Sequence, residues 1–341
     1  MTLPFSRRLV SDSAMSRSGL VSLVKLFRPS VANDAVEIVR WLAARSAPRK
    51  LLNSLYSSLS PYHKSSFHRR FSTVFRGYEG HFENGTWCLS LCGRPLVVPL
   101  RRETAWLDWD AALSILGHDS ELKETYSLLV QLEHPPRLVL DIGANYGTHS
   151  MFFLSHGIQT ISFEPNVACH VFFRRLCESN GINCWLERMA IGARHTDVDL
   201  WYPPGEEWLG TTDPIVRRGL RGESSKITVS QTTVDEYVQA RRLRPDLLKI
   251  DTEGTELQVL EGAVQTLSMC RPAVLFESWR SSGRDVLAAL MDAKEYGLCR
   301  LPLLRDLVPD VLSLEQFHCV TDTNFAALPR EMLEAWPPQF S

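Results

Sequence analysis

The stretch that decides the fold is Leu138-Val-Leu-Asp-Ile-Gly-Ala-Asn-Tyr-Gly147. Its first three residues form a short apolar run, which predicts a strand buried on both faces of a parallel sheet. The run ends at Asp141, and Gly143, Asn145 and Gly147 then predict a tight turn before a helical pattern begins. A strand, a glycine-rich turn and a helix N-terminus together form a common binding site for a nucleotide-bearing cofactor.

The spacing within this turn argues against a dinucleotide. A loop that binds pyrophosphate has the pattern G-x-G-x-x-G, but the residue two positions after Gly143 is Asn145. An acid at the strand end, Asp141, is poorly suited to a phosphate and well suited to a cationic or hydroxyl-bearing group. S-adenosylmethionine carries a sulfonium, an ammonium and a ribose but no phosphate. We therefore predict that Asp141, Gly143, Asn145 and Gly147 bind S-adenosylmethionine.

The next strand also ends in an acid, within the sequence Phe163-Glu164-Pro165. In sheets of this kind an acid at this position accepts hydrogen bonds from the ribose hydroxyls. Glu164 and Pro165 are therefore predicted cofactor residues, as is Ala190, which directly follows the third strand of the sheet. The competing interpretation of Glu164 is an ordinary solvated residue before a turn proline.

Apolar strand-like runs alternate with helical patterns from Leu138 onwards. This alternation predicts an α/β fold with a doubly wound, mostly parallel sheet. A polar, glycine-rich section at 203–225 interrupts it, and loops of that length are commonly lids or binding loops. The predicted strands are 138–141, 159–164, 183–189, 198–202, 226–232, 247–251, 273–277, 298–304 and 323–328. The predicted helices between them are 148–156, 167–179, 234–242, 255–268 and 283–294.

A second stretch with chemical character runs from Leu247 to Glu256, Leu-Leu-Lys-Ile-Asp-Thr-Glu-Gly-Thr-Glu. Asp251 ends the predicted strand, and Glu277 ends the next one. Ligands of open α/β sheets lie beyond the carboxyl ends of the strands, so Asp251, Glu253 and Glu277 should face the same crevice as the first loop. Lys249 lies on the same strand face as Asp251 and is expected to neutralise it.

These motifs together resemble the FkbM family of S-adenosylmethionine-dependent methyltransferases. The resemblance covers roughly residues 118–330, and its most specific part is the Lys-Ile-Asp-x-Glu-Gly-x-Glu pattern that begins at Lys249. It implies a Rossmann-like class I methyltransferase fold with a seven-stranded sheet. It also implies methylation of hydroxyl groups on small molecules, sugars or related metabolites. The motifs that carry it are Asp141–Gly147, Phe163–Pro165, Thr233–Asp235, Lys249–Glu256, Val259–Ala263, Phe276–Glu277 and Thr323–Pro329.

Methyl transfer to an alcohol requires positioning of the nucleophile and removal of its proton. Asp251, Glu253 and Glu277 are the predicted catalytic residues. The same acids could instead hold a divalent ion that acidifies the hydroxyl. We favour the metal-free alternative and assign no metal ligand. His149 and His318 are the next candidates for a base.

The charge of the 341-residue chain is unevenly distributed. Residues 1–76 carry 13 Lys or Arg residues against 3 Asp or Glu residues, although the net charge of the whole chain is −2. This basic segment suggests an alternative acceptor, RNA or protein, and Phe67, Phe71 and Phe75 lie near its basic residues. The segment shows no known nucleic-acid module, however. A non-catalytic binding module is a further alternative, and the missing glycine pattern disfavours a nicotinamide-dependent dehydrogenase.

The eight cysteines are scattered and form no C-x-x-C pair, which favours free thiols in a reducing compartment. We therefore expect a cytoplasmic protein, with an organellar location as the alternative because residues 1–31 are rich in Ser and Arg. No apolar run is long enough to span a bilayer. The oligomeric state remains open.

The sequence divides into four predicted parts. Residues 1–75 form a basic, partly helical extension in which Pro48 and Pro61 separate the helices. Residues 76–134 form a cap segment with a hairpin and a helix. The methyltransferase domain follows at 135–330, and 331–341 is a C-terminal tail.

Overall fold

The structure is a computed structural model that describes residues 32–204, 209–219, 224–280, 283–338 and 340. The predicted organellar segment 1–31 and two parts of the predicted loop 203–225 lie outside these residues. None of the helices in the described part of the chain is long and apolar enough to cross a bilayer. All eight cysteines are free thiols.

Helices and one hairpin precede the main sheet. Pro61 begins a helix as predicted, and its N-cap Ser60 accepts from the backbone N–H of His63. The break predicted at Pro48 falls instead at Arg45, and Pro48 lies in the first turn of the next helix, where a missing N–H group is tolerated. Apolar side chains of this part and of one face of the main sheet form a single core, so it is packed onto the sheet. Its elements are α1 (Ala32–Ala44), α2 (Ser46–Ser57), α3 (Pro61–Phe71), β1 (Gly85–Leu91), β2 (Arg94–Leu100), α4 (Ala105–Gly117) and α5 (Ser120–Leu129).

The sequence prediction missed α4, because it assigned residues up to 109 to a hairpin region. Ala111, Ala112, Leu113 and Ile115 are all buried, and the helix has little amphipathic character. A helix that is apolar on most sides carries no clear 3.6-residue pattern. The periodicity that finds surface helices therefore could not find this one.

The main sheet has seven strands in the order β11-β12-β10-β9-β3-β4-β5. All neighbours are parallel except that β12 runs antiparallel to both β10 and β11. This confirms the predicted doubly wound, mostly parallel sheet and the class I methyltransferase fold. The strands are β3 (Leu138–Ile142), β4 (Gln159–Phe163), β5 (Trp185–Glu187), β9 (Leu247–Ile250), β10 (Ala273–Glu277), β11 (Tyr296–Arg300) and β12 (Asn324–Pro329).

Between β5 and β9 lies a small three-stranded sheet in the order β6-β8-β7. Its strands are β6 (Ala190–Ile191), β7 (Thr196–Tyr202) and β8 (Ser225–Thr232). Ala190, predicted to follow a strand, therefore begins a strand of a different sheet.

Helices cover both faces of the main sheet, which is why β3 and β9 are buried at every residue. The helices described after β3 are α6 (Ser150–Leu154), α7 (Val167–Glu178), α8 (Pro214–Arg217), α9 (Val234–Arg241), α10 (Glu256–Glu261), α11 (Val264–Met269), α12 (Arg284–Ala293), α13 (Leu314–Cys319) and α14 (Arg330–Glu334).

Two predicted helices differ from those observed. The helix predicted over 148–156 is confined to α6, and the helix predicted over 255–268 is divided into α10 and α11. The division falls at Gly262, where a Cβ atom would lie 2.2 Å from the backbone oxygen of Gly192. The close passage of another loop therefore requires glycine at this break.

The last predicted strands also differ. The strand predicted over 298–304 ends at Arg300, two residues before Pro302, which has no N–H group for a sheet hydrogen bond. The short helix α13 was not predicted, although Ser313 and Gln316 form a capping box at its start.

Candidate active site

The turn after β3 is held against the end of β4. The backbone N–H groups of Gly143 and Ala144 both donate to the carbonyl oxygen of Phe163, at 3.0 and 2.9 Å. Gly143 has φ +81°, and a Cβ atom there would lie 1.7 Å from the backbone oxygen of Asp251. Only glycine can therefore bring this turn so close to the end of β9.

A cavity of about 310 Å³ opens beside this turn, at the carboxyl ends of β3, β4 and β9. Five of the predicted cofactor residues line it: Gly143, Asn145, Glu164, Pro165 and Ala190. The predicted catalytic acids Asp251 and Glu253 line it as well. The structure thus brings the two chemical stretches of the sequence into one cavity, as expected for a sheet of this topology.

Three predicted site residues do not line this cavity. Gly147 lies behind the turn, where a Cβ atom would meet the ring of Phe173 at 2.4 Å. Asp141 is only 1% exposed and accepts a hydrogen bond from the hydroxyl of Ser150. Glu277 lies at the end of β10, outside the cavity wall.

Glu164 connects the turn to the end of β4. One carboxylate oxygen accepts from the backbone N–H of Asn145 at 2.9 Å, and the other accepts from that of Asn166 at 2.8 Å. The side chain is buried, and this burial raises the pKa of Glu164 to about 7. It is therefore not the solvated residue of the competing interpretation.

Lys249 lies between two acids. Its ammonium is 3.1 Å from an Asp251 oxygen and 3.5 Å from an Asp141 oxygen. Burial alone would lower the pKa of Lys249, but the charges of Asp251 and Asp141 outweigh burial and raise it. Lys249 therefore stays charged and neutralises these acids, in the role that the sequence predicted.

The loop after β9 is shaped by Glu256. One oxygen of its carboxylate accepts from the backbone N–H groups of Thr252 and Gly254, at 2.8 and 3.1 Å. Glu253 takes a left-handed conformation at φ 54°. Two acids of the Lys249–Glu256 motif therefore have different roles. Asp251 faces the cavity, whereas Glu256 holds the loop.

Two acids near Asp251 resist ionisation. Burial, with the charge of Asp251, raises the pKa of Glu253 to about 8 and that of Glu277 to about 9. A protonated carboxyl group cannot act as a base at neutral pH. Among the three predicted catalytic acids, Asp251 thus has the environment best suited to a base.

The sequence did not identify a cluster around His149. The Nδ1 atom of this buried imidazole lies 2.9 Å from the hydroxyl of Tyr126 and 3.0 Å from the ammonium of Lys123. Its Nε2 atom lies 3.7 Å from a carboxylate oxygen of Asp119. Burial, together with the charges of Lys123 and Lys249, lowers the pKa of His149 well below its usual value.

Burial destabilises the charged forms of both Asp119 and Lys123, but the neighbouring groups outweigh this effect only at Asp119. Burial raises the pKa of Asp119, but the hydrogen bond and charge of His118 outweigh it and lower the pKa to about 2. Burial lowers the pKa of Lys123 to about 7. Asp119 therefore gives the cavity lining a negative charge, whereas Lys123 is buried outside the lining.

The helices before the sheet complete the wall of the cavity. His68 of α3 and Asp110, Ala111 and Ser114 of α4 line it. No motif marked these residues, because they come from a part of the chain outside the family resemblance. Their place in the wall follows only from how α3 and α4 pack.

Part of the predicted binding loop at 203–225 also reaches the cavity. Gly210 and Thr212 line it, and the hydroxyl of Thr211 donates to the carbonyl oxygen of Glu253 at 2.8 Å. The described part of this loop is therefore attached to the loop after β9.

Two expectations about other residues are changed by the structure. Phe67, Phe71 and Phe75 are each 1–2% exposed, so their rings belong to the core and cannot stack on nucleic-acid bases. His318 is on α13, where it forms an exposed pair with Asp285 at 2.9 Å, and it does not line the cavity. Of the two candidate histidines, only His149 is in the site.

The order and direction of the strands in the main sheet are those of a class I methyltransferase fold. The Methyltransferase FkbM domain matches residues 141–297. This match confirms the family resemblance that the sequence motifs carry.

Two characterised relatives are distant in sequence. The hexuronic acid methyltransferase AglP of Haloferax volcanii is 26% identical over 176 residues, which cover 50% of this chain and 69% of the relative. The methyltransferase sdnD of Sordaria araneosa is 25% identical over 192 residues, which cover 48% of this chain and 74% of the relative.

Two solved methyltransferase structures are also similar to this chain, at lower sequence identity. Methyltransferase FkbM from Methylobacillus flagellatus KT is 15% identical with a TM-score of 0.39, covering 70% of this chain and 56% of that one. A SAM-dependent methyltransferase from Agrobacterium tumefaciens is 12% identical with a TM-score of 0.37, covering 74% and 72%. The first match spans just over half of the solved chain.

Proposed function

We propose that this protein transfers the methyl group of S-adenosylmethionine to a hydroxyl group of a small molecule or a sugar. The observation that carries the proposal is one cavity that is lined by two kinds of polar group. Glu164 in its lining suits a ribose, and Asp251 and His149 in the same lining are candidate bases for an acceptor hydroxyl.

The cofactor side fits a nucleoside without phosphates. Each carboxylate oxygen of Glu164 uses one backbone N–H group and keeps a second lone pair for a ribose hydroxyl. Phe163, Met189 and Ile191 supply apolar wall next to it, as an adenine ring requires. The wall beside Asn145 holds Glu164 rather than a lysine or arginine that would attract phosphate.

The acceptor side fits an alcohol. S-adenosylmethionine, when bound, supplies the methyl group and the leaving group, so the protein has to orient the acceptor. A hydroxyl beside Asp251 could pass its proton to that carboxylate, with Lys249 holding the carboxylate at 3.1 Å. His149 is the alternative acceptor of the proton, because its Nε2 atom is on the same side of the cavity.

The acceptor class is supported by the named relative. AglP is a hexuronic acid methyltransferase, and this favours a sugar or glycan among the possible acceptors. The alternative of an RNA acceptor loses one of its arguments, since the three phenylalanines near the basic residues are buried.

The test is methyl uptake from labelled S-adenosylmethionine in a panel of hydroxylated acceptors. The panel should pair each hexuronic acid with its neutral hexose, and should include polyketide alcohols, an RNA pool and a protein pool. We expect uptake into a sugar or small molecule, and product spectroscopy should locate the methyl group on a hydroxyl oxygen. Uptake only into RNA or protein, or on a carboxylate, would contradict the proposed acceptor.

A further inference from the structure

A group of three side chains in the cavity has the composition of a metal site. Asp119 precedes α5, His149 precedes α6, and Asp251 follows β9. One ligand atom from each lies within 4.8 Å of the other two. Two carboxylates and an imidazole are donors that first-row divalent cations accept.

The histidine of this group is positioned as metal-binding histidines are. It is 7% exposed and lines the cavity. Its Nδ1 atom is 2.9 Å from the Tyr126 hydroxyl, whereas Nε2 makes no hydrogen bond to any described residue. Metal binding through Nε2 requires the ring proton on Nδ1, where the Tyr126 oxygen can accept it. Such an outer hydrogen bond commonly fixes the ligating tautomer.

Asp251 keeps a carboxylate oxygen for a cation, and Oδ1 of Asp119 accepts only a long hydrogen bond from the side-chain amide of Asn324, at 3.4 Å. Asp251 contacts Lys249 through Oδ2, so Oδ1 is available. His118 and His149 both approach the same oxygen of Asp119, Oδ2, at 3.0 and 3.7 Å. A small movement of this side chain would let a cation replace the weak His149 contact.

We propose that Asp119, His149 and Asp251 bind one divalent first-row cation, with its remaining coordination positions open to the cavity. The inference rests on the proposed function, because an acceptor hydroxyl would take one of those open positions. Bound to the ion, the hydroxyl would lose its proton more readily. This ligand set differs from the sequence alternative of Asp251, Glu253 and Glu277, because only Asp251 belongs to both sets.

The neighbouring Lys123 should weaken the binding of a cation at this site. The ammonium of Lys123 lies 3.0 Å from Nδ1 of His149 and competes with Tyr126 for this atom. Its charge also opposes a cation on the other side of the ring. Lys123→Met should therefore strengthen cation binding, whereas Tyr126→Phe should weaken it about 10-fold, as the loss of an outer hydrogen bond does.

The direct test is electron paramagnetic resonance with Mn²⁺, since the sextet of the free ion disappears on binding. The wild-type protein should bind one Mn²⁺ that Zn²⁺ displaces. Asp119→Asn, Asp251→Asn and His149→Gln should each weaken binding by at least ~10-fold. Asp285→Asn is the matched control, because Asp285 also lies within 3 Å of a histidine Nδ1 atom but on the exposed surface, and Tyr237→Phe is the control for Tyr126→Phe.

Calorimetry with S-adenosylhomocysteine on the same samples separates this inference from the proposed function and shows that each variant is folded. Wild-type protein that binds S-adenosylhomocysteine but leaves the Mn²⁺ sextet unchanged would overturn the metal site alone. Equal Mn²⁺ affinity in the ligand variants and the control would overturn it too. Failure to bind S-adenosylhomocysteine, with or without Mn²⁺, would instead count against the proposed function.

Discussion

The cavity has two walls with different origins. The sheet wall consists of the turns after β3, β4 and β9, whereas the helical wall comes from α3, α4 and the start of α5. Each polar group of the sheet wall lies in a short motif next to a strand end. The helical wall instead places His68, Asp110 and Asp119 together through packing of separate helices. One wall can thus be recognised from local sequence and the other only from the tertiary structure.

The two walls also differ in how their charges are balanced. In the sheet wall, Lys249 lies between Asp141 and Asp251 with both contacts within 3.5 Å. In the helical wall, the ionic partners of Asp119 within 4 Å, among the residues that the structure describes, are His118 and His149. A buried lysine therefore balances the acids of the sheet wall, whereas imidazole groups are the partners of Asp119 in the helical wall.

The largest expected effect is that of Asp251→Asn. The substitution keeps the shape of the side chain but removes the charge that either a base or a metal ligand needs. Turnover should fall at least ~100-fold, with nearly unchanged affinity for S-adenosylhomocysteine. Single-turnover kinetics with saturating cofactor measures this. Unchanged turnover would move the chemistry away from Asp251, with His149 the next residue to test.

The second-largest effect is the loss of stability when Gly143, in the turn after β3, is replaced. Gly143→Ala introduces a Cβ atom 1.7 Å from the backbone of Asp251, in addition to the strain of a positive φ. Gly157→Ala is the matched control, since its φ of +75° is similar but, among the described residues, the new Cβ would have no atom within 4 Å beyond its two chain neighbours. The control should lose about 1–2 kcal/mol of unfolding free energy, and Gly143→Ala should lose clearly more. Denaturant titration measures both, and equal losses would mean that the two turns do not meet as described.

A third, pH-dependent effect belongs to Glu164. Its pKa is raised to about 7 in the folded protein from an ordinary value of 4.5. The contribution of Glu164 to stability is therefore fully present below pH 4.5 and is lost as the pH rises through 7. By pH 8 this loss amounts to about 3 kcal/mol.

Glu164→Gln should remove this dependence, so the variant should gain stability relative to wild type between pH 5 and pH 8. Thermal unfolding of both proteins without ligand across this range measures the difference. A constant difference at all pH values would show that the carboxyl group ionises normally.

The smallest effect is expected outside both walls. His318→Asn removes an exposed ion pair with Asp285, and such pairs contribute little to stability. Turnover and cofactor affinity should stay within about twofold of wild type. A larger loss of turnover would place part of the active site at α13, which the described geometry does not.

Much of the sheet could be predicted because its strands are short apolar runs that end in turn residues and acids. The motifs around Asp141, Glu164 and Asp251 also located one side of the cavity. Glu277 was included on the same argument, yet it does not line the cavity, since a strand-end position does not fix the direction of a side chain. Asp141 likewise lies beneath the cavity, where it holds Lys249 and Ser150.

The helical wall could not be predicted for a physical reason. The helix α4 has no amphipathic pattern, and Asp119 and His149 are brought together from positions 30 residues apart by packing. A single histidine in a helical stretch resembles any buried histidine. Only the contact with Tyr126, Lys123 and Asp119 distinguishes His149 from the exposed His318.

The central claim is that Glu164 and the turn after β3 bind S-adenosylmethionine. Calorimetric titration of wild-type protein and Glu164→Ala with S-adenosylhomocysteine, and of wild type with NAD, tests it most directly. We expect micromolar binding of S-adenosylhomocysteine, a loss of about 1–3 kcal/mol in the variant, and no heat from NAD. Binding of NAD without a response to S-adenosylhomocysteine would contradict the claim, as would equal affinity in the two proteins.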